Sequence, residues 1–193
     1  MADCCQAGGD AEPLPEAASG VIRVALAGNP NVGKSSLFNQ LTGSRQHVGN
    51  WPGKTVERRA GTRSVGRDEL IVIDLPGTYS LAASSPEELV AEEVLTGGDV
   101  DVVAVVLDSA NLERNLYLAA QLAELGRPLV LVLNMTDSAL AEGFVIDDAR
   151  LARVFGAPVV RTVGRTGRGL DDLVSALSSV GHRVVAQSQR AAS

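Results

Sequence analysis

Residues 28–35 read Gly28-Asn29-Pro30-Asn31-Val32-Gly33-Lys34-Ser35, directly after the apolar run Val21-Ile22-Arg23-Val24-Ala25-Leu26-Ala27. An apolar run entering G-x-x-x-x-G-K-S, with a helical pattern straight after it, predicts a strand, a phosphate-binding loop and a helix. Glycines let the backbone curl so that its N–H groups face phosphate oxygens, and the helix N-terminus adds a favourable dipole. Lys34 is expected to place its charge on the β- and γ-phosphates, and the Ser35 hydroxyl to ligate Mg2+. The stretch from Gly28 through Ser36 is thus the expected cradle of a nucleoside triphosphate.

Outward from this loop, apolar runs alternate with amphipathic stretches. Strands are expected at Val21–Gly28, Thr55–Val65, Glu69–Asp74, Asp101–Asp108, Pro128–Asn134 and Pro158–Thr162. Runs such as Val102-Val103-Ala104-Val105-Val106-Leu107 are continuous, as strands buried on both faces are. Helices are expected at Lys34–Thr42, Pro86–Leu95, Leu112–Leu125, Asp147–Phe155 and Gly169–Val180. This alternation predicts an α/β fold with about six strands, mostly parallel, and helices on both faces. The short break Gly66-Arg67-Asp68 predicts an antiparallel hairpin at one edge of the sheet.

Composition narrows the class. The 193 residues suit one domain, with 17 Lys and Arg against 23 Asp and Glu for a formal charge of −6. That balance speaks against a nucleic-acid partner gripped over the whole surface. The two cysteines are the adjacent Cys4-Cys5, so no disulfide framework is expected. Residues 1–20 read as a leader without the pattern of a signal peptide, residues 21–183 as the nucleotide-binding domain, and residues 184–193 as a small polar tail. No run of 18 apolar residues suggests a membrane span.

Three further motifs fall at strand ends, where ligands of such sheets bind. Asp74-Leu75-Pro76-Gly77 is a D-x-x-G: Asp74 can hold a Mg2+-bound water, and the Gly77 amide can contact a γ-phosphate. Between Ser44 and Arg59, Thr55 can offer a second hydroxyl to Mg2+, although spacing alone reads equally as a solvent-facing loop residue. Asn134-Met135-Thr136-Asp137 is an N-x-x-D, in which the Asp137 carboxylate accepts from guanine N1–H and the 2-amino group, donors that adenine lacks. The competing reading is a helix cap after a strand. Many GTPases carry a lysine where Met135 stands, so weaker binding of GTP and GDP and faster exchange are expected.

Gly49-Asn50-Trp51-Pro52-Gly53-Lys54-Thr55-Val56-Glu57, taken with the two loops above and Thr78-Tyr79-Ser80-Leu81, resembles the G domain of the bacterial ferrous iron transport protein B family. The resemblance runs from about Val21 to Gly181 and implies a Ras-like P-loop GTPase fold. It implies that Thr55 ligates Mg2+ with Ser35 and, through water, Asp74. It also brings Gly53, Lys54, Val56, Glu57, Leu75 and Pro76 to the nucleotide. Catalysis would then rest on Asn31, Lys34, Thr55 and Gly77. Thr78 occupies the place of the water-orienting glutamine of Ras-like GTPases, and relatives instead use K+, held here by Asn31 and by carbonyls near Gly49 to Trp51. The family's Ser-Ala pair near guanine O6 is replaced around Thr162-Val163-Gly164.

The resemblance further implies that a helical domain and a membrane permease portion of the same transporter follow such a domain, at the cytoplasmic side of the bacterial inner membrane. Iron transport itself lies outside these residues; GTP turnover, slow in isolation, lies within them. His47 and the arginines Arg58-Arg59 and Arg161/Arg165/Arg168 read as solvated surface, and Trp51 as a partly exposed ring in a mobile loop. Self-association stays open. Two alternatives remain: a regulatory GTP-binding module with negligible turnover, and a ribosome-assembly GTPase, which would carry N-K-x-D and an RNA-binding domain.

Overall fold

The computed structural model describes residues 20–82 and 84–191, so Cys4-Cys5 and the leader expected at 1–20 lie outside the described residues, save for Gly20. Seven strands form one sheet: β1 (Val21–Ala27), β2 (Gln46–Asn50), β3 (Glu57–Val65), β4 (Asp68–Asp74), β5 (Val102–Asp108), β6 (Leu129–Asn134) and β7 (Val159–Arg161). Their spatial order is β2-β3-β4-β1-β5-β6-β7. From β4 to β7 every pairing is parallel, while β2–β3 and β3–β4 are antiparallel.

The expected hairpin is present, with Val65 opposite Asp68. It does not form the edge, because β2 adds a seventh strand outside β3. Nothing in Gln46-His47-Val48-Gly49-Asn50 alternates: its single branched apolar side chain, Val48, is 63% exposed. Backbone pairing alone makes this strand, which is why a hydrophobic-pattern reading passes over it. β3 also begins at Glu57, leaving Thr55 and Val56 in the preceding loop.

Helices cover both faces. α1 (Lys34–Thr42) buries Lys34, Leu37, Phe38, Leu41 and Thr42, one stripe at helical spacing. α6 (Leu170–Ala191) lies on the same face through Leu173, Leu177 and Val180. α2 (Pro86–Thr96), α3 (Leu112–Glu124) and α5 (Asp148–Phe155) pack on the other face, around Ala91, Leu95, Leu118 and Leu122. β5 serves both cores, since Val102, Ala104 and Val106 face one and Val103, Val105 and Leu107 the other. α4 (Thr136–Ala141), a short helix absent from the sequence reading, follows β6.

Capping explains where the best-marked helix starts. The Ser85 hydroxyl accepts from Glu88 N–H at 3.2 Å, Glu88 returns a bond to Ser84 N–H at 2.9 Å, and Pro86 opens the first turn. α6 runs to Ala191, well past the expected end at Val180 and through most of the expected tail. No proline follows Val180, and the stripe Leu173-Leu177-Val180 continues to the half-buried Val184. No helix among the described residues is long and apolar enough to cross a membrane.

Phe38 sits wholly buried where α1 meets the sheet, with the Arg59 guanidinium 5.4 Å from its ring centre. Phe38→Ala is expected to cost about 3–5 kcal/mol, read as a lower urea midpoint with an unchanged slope.

Candidate functional site

The loop Gly28–Ser35 lies at the carboxyl end of β1, the central strand, and turns there through three residues with positive φ: Gly28, Asn31 and Gly33. Gly33 has φ 88° and its Cα faces the Asn134 side-chain amide so closely that a Cβ would overlap it. Only glycine satisfies both conditions. Gly77 likewise abuts Pro30, where an added Cβ would come within 3.0 Å of the ring. The D-x-x-G loop thus rests directly on the phosphate loop, and Thr78 N–H donates to Gly28 O at 3.2 Å.

Two charged groups lie beneath this loop. Lys34 is buried, and its Nζ donates to Gly28 O at 3.0 Å and Asn29 O at 2.9 Å. Burial brings its pKa down from 10.5 to about 8, with Asp74 pulling the other way. Asp74 ends β4, and its Oδ2 accepts from the Ser35 hydroxyl at 3.0 Å. Desolvation raises its pKa above the usual carboxylate value, against the opposing pull of Ser35, Lys34 and Arg59. Its Oδ1 is buried with no partner. A hydroxyl beside a carboxylate with an unused oxygen is a hard-oxygen donor set, and it fits Mg2+. Ser35 and Asp74 are the residues here that would hold it.

The fourth motif is knotted into the same place. Asn134 is 1% exposed; its amide N–H donates to Val32 O at 2.9 Å, and its carbonyl accepts from Thr162 Oγ at 3.1 Å and Gly164 N–H at 2.9 Å. Met135 takes φ 57° to launch α4. Thr136 Oγ donates to Thr162 O at 3.1 Å. Asp137 then stands half-exposed at the site's rim, its Oδ2 3.4 Å from Arg165 Nη2. The amides of Thr162, Val163 and Gly164 donate to Leu133 O, Arg168 O and Asn134 Oδ1. In this conformation each of the three has an internal acceptor in place of a guanine O6.

Thr55 is the motif residue that stands apart. It is exposed in the loop joining β2 to β3, and its neighbour Lys54 pairs with Glu93 of α2 at 2.6 Å. Gly53 and Glu57 are exposed in the same hairpin, and Val56 is buried. Trp51 packs against the α2–α3 core, with Arg58 5.3 Å from its ring centre, so the ring is more enclosed than the sequence suggested. Asn31 and Pro30 are exposed and Asn29 buried, its amide reaching Arg114 O at 3.5 Å. Asn115 escaped the sequence reading: it is buried, bonds Asp108 N–H and Asn111 O, and shapes the loop after β5. Glu93 escaped it too, and Arg165, read as solvated surface and indeed exposed, was not paired with Asp137, because pairs 39 and 28 residues apart leave no local pattern.

This geometry is shared with known proteins. A family model for the N-terminal part of ferrous iron transport protein B matches residues 22–177. The chain belongs to that family. It is 50% identical over 161 residues to the Fe(2+) transport protein A/Fe(2+) transporter FeoB fusion protein of Porphyromonas gingivalis, covering 83% of this chain and 19% of the relative. With the Fe(2+) transporter FeoB of Escherichia coli K12 it shares 46% over 160 residues, covering 81% and 21%. The chain thus spans about a fifth of the length of these relatives.

Among solved structures, the cytosolic domain of T. maritima FeoB in a GDP form matches with a TM-score of 0.81 at 44% identity, over 83% of this chain and 63% of that one. The isolated G domain of T. maritima FeoB matches with 0.78 at 44% identity, over 83% and 98%. The expected family and the Ras-like α/β fold are therefore both shown, and guanine-nucleotide binding is what the fold implies.

The low Lys34 pKa carries a pH dependence. Phosphate pairs with the charged amine, so nucleotide affinity is expected to fall as pH climbs through about 8, by up to about tenfold per unit. Folding has the opposite sign: between about 8 and 10.5 the unfolded chain binds the extra proton, and this group's contribution to stability rises with pH. Titrating a fluorescent guanine nucleotide across this range checks the first statement, with the slope flattened in Lys34→Ala.

Proposed function

We propose that this chain is a guanine-nucleotide switch that hydrolyses GTP with Mg2+, slowly alone and faster with K+. Through that switch the longer transporter would govern ferrous iron passage across its membrane permease portion. The observation that carries the reading is the Ser35–Asp74 pair, bonded at 3.0 Å beside the buried Lys34 amine, under a loop whose backbone is shaped for phosphate. The T. maritima FeoB cytosolic domain, named above in a GDP form, supports a guanine ligand.

Each residue has a defined task. Lys34 exchanges its two carbonyl partners, Gly28 O and Asn29 O, for phosphate oxygens. Ser35, Asp74 (through a water) and Thr55 would hold Mg2+, which would supply positive charge to the phosphates. The Gly77 amide reads the γ-phosphate from its seat on Pro30. Asp137 reads the guanine edge once it leaves Arg165. Asn31, exposed at φ 65°, has its side chain free to help hold K+ beside the bridging oxygen.

Slow turnover follows from one further contact. Thr78 is 1% exposed and its hydroxyl donates to Ser80 O at 2.6 Å, so it does not orient an attacking water. Further positive charge near the phosphates would then raise the rate, and K+ held by Asn31 would supply it. Steady-state GTP hydrolysis in KCl and in NaCl tests this. Potassium is expected to accelerate the wild-type chain at least about tenfold, within the scale of one transition-state contact, and Asn31→Ala to remove the difference. Equal rates in both salts, with tight GTP binding, would leave a binding module without cation-assisted turnover.

A further inference from the structure

The loop that carries Thr55 is tied to α2, whereas the proposed metal ligands Ser35 and Asp74 pair with each other at the start of α1 and the end of β4. Ser35 opens α1, which packs on one face, whereas Lys54 is paired with Glu93 of α2, which packs on the other. The loop is also closed on itself, with Trp51 N–H donating to Val56 O at 2.9 Å and Lys54 N–H to Trp51 O at 3.0 Å. Trp51 packs against the α2–α3 core, with the Arg58 guanidinium 5.3 Å from its ring centre. Thr55 is left facing solvent.

We infer that Glu93 is a positioning residue: its ion pair with Lys54 latches the Thr55 loop onto α2 and opposes its swing to the metal at Ser35 and Asp74. The inference rests on the role of Thr55 proposed above. Lys54 and Thr55 are adjacent, so their Cα atoms stay about 3.8 Å apart wherever the loop goes. Drawing the Thr55 hydroxyl to a metal at Ser35 and Asp74 therefore works against the hold of Glu93 on Lys54. Only the triphosphate-bound arrangement uses Thr55, so the latch weakens GTP binding while leaving GDP binding alone.

The strength of the device is bounded by exposure. The Lys54 side chain is 25% exposed and that of Glu93 57%, so solvent screens the pair. Its effect is expected to be about two- to fivefold in a binding ratio. That is small enough for γ-phosphate contacts to overcome and large enough to bias the resting loop. Salt screens it further.

The test compares Glu93→Ala and the charge-reversed Glu93→Lys with the wild-type chain. Glu93 touches neither nucleotide nor metal. In Mg2+, the affinity for a non-hydrolysable GTP analogue relative to GDP is expected to rise about two- to fivefold in both variants. Added salt should raise that ratio in the wild type and leave it unchanged in Glu93→Ala. A ratio that does not move, or GTP and GDP affinities that shift together, would overturn the latch. A nucleotide-free readout separates this from the nucleotide reading itself. Trp51 is the chain's single tryptophan, and releasing the loop should increase its quenching by acrylamide in Glu93→Ala. Unchanged quenching would overturn the latch even if guanine nucleotides proved not to bind.

Discussion

The side-chain amide of Asn134 is the constraint on which the site depends. It is a buried polar group that must be satisfied, and it is satisfied by three partners from two segments: Val32 in the phosphate loop, and Thr162 and Gly164 in the loop after β7. Truncating it would remove the side-chain partner of the Val32 carbonyl and of the Gly164 amide in the interior, each loss costly on its own, and would leave the Thr162 hydroxyl with Leu133 O at 3.5 Å. The same side chain fills the space that a Cβ at Gly33 would need. Residues separated by about a hundred positions are thereby held at one sheet edge, and the phosphate loop is fixed relative to the end of β6, from which α4 and its Asp137 follow.

Around that tie, the electrostatics are arranged ahead of any ligand. A buried ammonium and a buried carboxylate are each costly to desolvate, and the opposite pKa directions of Lys34 and Asp74 record that cost. Loop carbonyls and the Ser35 hydroxyl offset part of it. A phosphate and a hard cation would replace these weaker partners with full charges. Groups placed in this way need little reorganisation when the ligand arrives. The loop after β2 is the contrast: Thr55 is exposed and its neighbour Lys54 grips α2, so the metal role proposed for Thr55 requires that part of the site to be assembled.

What the sequence made legible was local. The strand-loop-helix around Gly28–Ser35 could be read because glycine, lysine and serine have fixed tasks at fixed spacing, and β5 because Val102 to Leu107 is apolar on both faces. The capping box at Ser85 marked α2 to within one residue. β2 was missed because it is held by backbone pairing and carries no apolar alternation. α4 was missed because its six residues begin at a left-handed Met135, a conformation with no composition signal. The length of α6 depended on packing of a stripe, not on a stop residue. The roles of Glu93, Arg165 and Asn115 come from contacts across the fold, and no spacing announces them.

The account's central claim is that this is a guanine-nucleotide site, with Asp137 reading the base. Calorimetric titration of the chain with GDP and, separately, ADP in Mg2+ tests it most directly. Guanine is predicted to win by at least about a thousandfold, because adenine would leave the carboxylate unpaired. Comparable affinities for the two, or no binding of GDP, would contradict it.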